Sequence, residues 1–116
     1  MKFTALITII QDSDEEEAIK VAKEAGAGSV TIIHGKNIGL KEKKVFFGLT
    51  LEENISVLLF ILPLRSSMKV MKALRVSFDL DNPENSGVAF TFPLSHVAGL
   101  NTEELHKFEE NVKITL

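Results

Sequence analysis

Histidine is the side chain best suited to hold a metal or move a proton near neutral pH, and this chain has three: His34, His96 and His106. No two lie at the short spacing that sets a pair of imidazoles on one ion, so spacing alone supports no metal site. Cysteine is absent, which removes thiolate ligands, disulfides and thiol nucleophiles. There is no G-x-S-x-G elbow, and no histidine is tied by motif to a nucleophile or a carboxylate pair. The chain reads as a binder and not as an enzyme. Asp79, Asp81, Asn82, Glu84 and Asn85 have the oxygens to gather Ca²⁺ or Mg²⁺. They lack the central glycine and terminal glutamate of an EF-hand, and their composition is that of a turn.

Two glycine-containing stretches have ligand-binding chemistry. Residues 35–44 hold Lys36, Lys41, Lys43 and Lys44 against Glu42, a balance that suits an anionic ligand or an acidic partner surface. Ser86 and Gly87 offer hydroxyl and backbone donors from a second loop, although Asp79, Asp81 and Glu84 before them oppose a phosphate. Arg65, Lys69 and Lys72 form a basic helix face without interspersed acid.

The elements that must position these loops follow from apolar spacing. The chain has 116 residues, 45% apolar and 25% charged, which fits one globular domain. A net charge of −3 with neither Tyr nor Trp argues against a nucleic-acid partner. The longest apolar run, residues 57–64, is far short of the roughly 20 residues of a membrane helix. The N-terminal run passes into DSDEEE without a cleavage site, so it reads as a strand, and the expected location is cytoplasmic.

Residues 3–10 alternate as a strand with Phe3, Ala5, Ile7 and Ile9 on a wholly apolar face. Ser13 and Glu16 have capping-box spacing, and Ala18, Val21, Ala22 and Ala25 then line a helix that Gly26 can end. Residues 29–34 are a second strand and 55–62 the most apolar one, closed by Pro63. Ser66 or Ser67 can cap a second helix with Val70, Met71, Leu74 and Phe78 on its dry side. Residues 88–92 form a further strand ended by Pro93, and 101–109 and 112–116 read as a terminal helix and strand.

This order predicts an α+β, ferredoxin-like βαββαβ domain over residues 1–116: an antiparallel four-stranded sheet with two helices on one face and the most apolar strands central. Helices cover one face only. Yet residues 55–62 are apolar on both, with Ile55, Val57, Leu59 and Ile61 on one side and Leu58, Phe60 and Leu62 beside Ser56 on the other. Leaving three large side chains exposed forgoes roughly 1.5–3 kcal/mol each, so association of copies is expected. Leu58 and Phe60 are expected on the uncovered side.

AGAGSVTIIHGKNIG resembles the end of helix one, the second strand and the entry to the long regulatory loop of the nitrogen regulatory protein P-II (PII) superfamily. DNPENSGVAFTFPLSHVAGL resembles that family's second phosphate-facing loop, fourth strand and following turn, and the match spans nearly the whole chain. Lys36 and Gly39 fall on the family's loop-base lysine and second glycine, with Asn37 and Ile38 replacing Gly and Phe. The family's T-G-x-x-G-D-G-K loop corresponds to residues 82–88, which keep Gly87 but put Val88 at the lysine. Val97, Ala98, Gly99 and Leu100 stand where the family places arginines, and the loop tyrosine is absent.

The resemblance implies a PII-like signal-transduction protein: a homotrimer that binds a small anionic metabolite or nucleotide, an adenine nucleotide being the cofactor class, in clefts between subunits. A loop over about residues 35–54, facing a second over about 77–87, would dock onto a membrane transporter or a metabolic enzyme. Gly35, Lys36, Asn37, Gly39, Ser86 and Gly87 are the expected ligand residues. The alternatives are a structural or metal-tolerance trimer of the same superfamily and a small ferredoxin-like enzyme.

Overall fold

The computed structural model describes residues 2–38, 53–85 and 87–100, together with the backbone of 45–46 and 49–50. Strand β1 (Phe3–Gln11) is followed by a 3₁₀ turn (Asp12–Asp14) and helix α1 (Glu15–Glu24). Strand β2 (Thr31–Asn37) leads to the short strands β3 (Val45–Phe46) and β4 (Leu49–Thr50), which pair with each other. Strand β5 (Glu53–Pro63), helix α2 (Leu64–Ser77) and strand β6 (Gly87–Leu94) complete the described elements.

The main sheet has the order β2-β5-β1-β6 with every neighbour antiparallel. The two most apolar strands, β1 and β5, are therefore central, as their composition predicts. Register fixes the faces, because residues opposite one another in a ladder share a side of the sheet. Leu6 pairs with Phe60, Thr8 with Leu58 and Ile10 with Ser56, and these positions are buried against the helices. Ala18, Ala22, Val70 and Leu74 supply the helical half of that core. The side that no described helix covers carries Ile7 opposite Leu59 and Phe90, and Ile9 opposite Val57 and Val88.

Leu58 and Phe60 consequently lie on the covered side, opposite to the expectation, and Ile55, Val57, Leu59 and Ile61 lie on the open one. Both sides of β5 are apolar, so its own pattern could not choose. The choice comes from where Pro63 passes the chain into α2: the side holding Leu58, Phe60 and Leu62 is the one α2 folds across.

Helix α1 ends at Gly26, whose φ of +112° costs an L-residue more than a glycine. The Gly26 N–H donates to the Lys23 carbonyl at 3.0 Å and the Ala27 N–H to the Ala22 carbonyl at 2.9 Å, a paired closure that satisfies the last turn. The capping box expected at the other end does not form: α1 starts after the 3₁₀ turn with no side-chain cap. Three acidic residues, Glu15, Glu16 and Glu17, fill its first turn, where the helix dipole favours them. Helix α2 also begins earlier than expected. It follows Pro63 directly, the Leu64 N–H donates to the Lys2 carbonyl at 3.1 Å, and Ser66 and Ser67 are buried in the first turn.

Strand β6 runs through Pro93 to Leu94 rather than stopping before it. It is an edge strand, where a missing N–H is tolerated. The expected terminal helix and strand fall outside the described residues. Among the described residues, no helix is long and apolar enough to cross a membrane.

Candidate functional site

At one end of the sheet the end of β1, the start of β5, the end of β2 and the start of β6 meet around a pocket of about 270 Å³. Ile9, Ile10, Ile55 and Val88 give it apolar walls, while Gln11, Asn37 and Glu53 supply polar groups and Gly87 closes one side. This is the end of the open apolar face, since Ile9 and Val88 pair across it. A pocket of that volume lies near the lower limit for a small-molecule site. A second copy covering the open face would enlarge it into a cleft.

The structure brings some of the expected ligand residues together. Gly35, Lys36 and Asn37 are the last residues of β2, opposite Ile55, Asn54 and Glu53, so the connection between the two strands spans residues 38–52. Asn37 and Gly87 line the same pocket, although they are 50 positions apart in the sequence. Gly35 lies beside it, opposite Ile55. By the alternation of the strand, Lys36 projects to the helix side of the sheet, away from the pocket. Gly39 and Ser86 lie outside the described residues, as do Lys41, Lys43 and Lys44. Among the described lining residues Glu53 is the one charged side chain, so this part of the pocket is not shaped for a phosphate.

Gly87 is the described glycine at which a side chain would be most crowded. A Cβ there would sit 3.1 Å from Leu80 Cδ2 and 3.6 Å from the Ile9 carbonyl oxygen, because the turn after α2 presses on the start of β6. That turn is held by its own groups. Asp79 adopts φ +47°, a conformation that Asp tolerates better than most. The Asn85 Nδ2 group donates to the Asp79 carbonyl at 3.1 Å, the Glu84 N–H to Asn82 Oδ1 at 3.0 Å and Arg75 Nε to Asp81 Oδ2 at 2.6 Å. The acidic residues considered above as a cation loop thus act as turn formers and as a partner for Arg75.

A polar cluster that sequence spacing does not reveal lies on the helix side of the same end. His34 of β2 places Nε2 2.5 Å from Glu15 Oε1 and 3.7 Å from Asp12 Oδ1. Beneath them Ser56, fully buried on β5, has its hydroxyl 2.8 Å from Glu15 Oε1 and 3.1 Å from Asp12 Oδ1. The Ser56 hydroxyl first, and the contact with His34 second, hold the Glu15 carboxyl below the 4.5 of a free glutamate. The partners are 19 and 41 positions from Glu15, so only the sheet register brings them together.

No protein-family model matches the sequence, and no curated protein matches it. The fold, by contrast, has many solved counterparts. CPII, a nitrogen regulatory PII-like protein from Thiomonas intermedia K12 solved with ADP, AMP and bicarbonate, superposes with a TM-score of 0.63 at 15% identity. That match covers 86% of this chain and 98% of the other. A DUF3240 family protein from Shewanella baltica superposes with a TM-score of 0.63 at 10% identity, over 87% of this chain and 99% of the other. GlnK of Bacillus subtilis, solved as a complex with ATP, matches with a TM-score of 0.61 at 13% identity, over 81% and 83%. The chain has a divergent PII-like fold.

Proposed function

We propose that this chain is a PII-like regulator without catalytic activity, whose copies associate through the open sheet face and bind a small ligand at the clefts so formed. The observation that carries this reading is the continuity between the two features. The face that the described residues leave uncovered, with Ile33, Ile61, Val88, Phe90 and Phe92 all exposed, runs into the pocket where Asn37 and Gly87 meet. A contiguous apolar surface of this kind is covered in a soluble protein, and covering it by symmetry places the pocket between subunits.

A homotrimer is the assembly expected of a PII-like protein, and an adenine nucleotide the ligand class, in line with the nucleotides bound to CPII and GlnK. Residues 38–52 would then respond to the ligand and present a surface to a transporter or metabolic enzyme. The switching comes from unequal ligand affinity for two loop states. A cytoplasmic location belongs to the same reading. Glu53 in the pocket favours a second reading, a constitutive trimer of the same fold that binds no nucleotide.

Calorimetry of the full chain against ATP, ADP, AMP, cyclic AMP and bicarbonate separates the two. The regulator reading predicts binding of at least one of these, weakened by Asn37→Ala and by Gly87→Ala. Silence across the panel, from protein of intact secondary structure, would remove it and leave the constitutive trimer.

A further inference from the structure

We propose that Asp12, Glu15 and His34 form a binding site for a divalent first-row transition ion, with Zn²⁺ as the representative, and that Ser56 positions its carboxylates. The site lies on the helix side of the sheet, not in the pocket, and does not rest on the regulator reading. One imidazole nitrogen and two carboxylate oxygens lie within 4.8 Å of one another. Around an ion with bonds of about 2.0–2.2 Å, donors from such residues stand roughly 3–4 Å apart. The His34 to Asp12 separation of 3.7 Å already has that value, and the 2.5 Å contact of His34 with Glu15 opens when an ion takes its place. The His34 ring is 64% exposed, which gives it room to shift and leaves coordination positions facing solvent.

The cluster is also short of protons. Ser56 has a single hydroxyl proton, yet its oxygen is within hydrogen-bond distance of both carboxylates, so it can donate to only one at a time. Two carboxylates held this closely repel unless a positive charge joins them. Ser56 itself cannot retreat, being buried in a central strand with its backbone in the ladder. Chelation by three ligands answers this repulsion with two positive charges, where a protonated imidazole would bring one. The donor set selects the ion class: imidazole favours Zn²⁺ and its neighbours over Ca²⁺ or Mg²⁺, and the lack of sulfur disfavours Cu⁺.

The test is calorimetric titration of ZnCl₂ into the full chain after EDTA treatment and desalting, with thermal melts in parallel. Wild type should bind about one Zn²⁺ per chain and melt at higher temperature in its presence. His34→Gln and Asp12→Asn, both at exposed positions, should weaken binding by at least about tenfold and abolish the thermal shift, and Ser56→Ala should weaken it by about 10–100-fold as supporting residues do. A Zn²⁺ affinity unchanged in His34→Gln would assign the ion to other residues and overturn the proposal. So would a wild-type chain that binds no Zn²⁺.

Discussion

On the helix side of the sheet Leu6, Leu58 and Phe60 are 0–1% exposed, while on the other side Ile61, Val88, Phe90 and Phe92 keep 42–48%. The two sets belong to one sheet, with strand β5 supplying residues to both, and the side chains are of similar size and polarity. What separates them is a covering layer, which the described residues provide for one side only. The covered side is therefore a stability device, and on the proposed reading the open side is an assembly device. A substitution should report one or the other according to its face, almost regardless of residue type.

The largest effect is expected at Phe60. Phe60→Ala should cost about 3–5 kcal/mol, read from urea denaturation, because a fully buried ring is replaced by a cavity. Phe60→Asp should abolish folding altogether, since a buried carboxylate has no partner there. On the open side Phe90→Asp should leave secondary structure and melting behaviour of the subunit largely intact yet lower the mass seen by light scattering to that of a monomer. An assembly of unchanged mass would mean that the face is not the interface.

A smaller effect sharpens the contrast. Thr8 is fully buried on the covered side, and among the described residues its hydroxyl has no hydrogen-bond partner. Thr8→Val keeps the shape and removes the unpaired group, so it should raise stability by about 1 kcal/mol. The smallest effect sits at the rim of the covered side. Folding lowers the Glu15 pKa, so the unfolded chain takes up that proton first as pH falls. The contribution is present above the free-glutamate value of 4.5 and disappears as pH drops through the folded value. Glu15→Gln should flatten the decline of the urea midpoint in that acidic range, and an equally steep decline would place the effect elsewhere.

Much of this organisation is legible in the sequence. Element order, both apolar helix stripes and the stop at Gly26 follow from spacing and glycine chemistry within single segments. The two faces of β5 are not legible, because Val57, Leu59 and Ile61 look as core-like as Leu58, Phe60 and Leu62. Gly35, Lys36 and Asn37 have the composition of a loop. They form strand because residues 53–55 pair with them, and such pairing is non-local. The pocket was legible in part: resemblance and glycine placement single out Asn37 and Gly87, which line it, but alternation along β2 turns Lys36 away. The cluster of Asp12, Glu15, His34 and Ser56 has no local signature, since four different elements contribute to it.

The central claim is that the open face is covered by further copies of this chain, and the mass of the wild-type protein in dilute solution tests it directly. Sedimentation velocity at micromolar concentration should show one discrete species of about three times 12.8 kDa. A folded, stable species of 12.8 kDa under the same conditions would contradict the account.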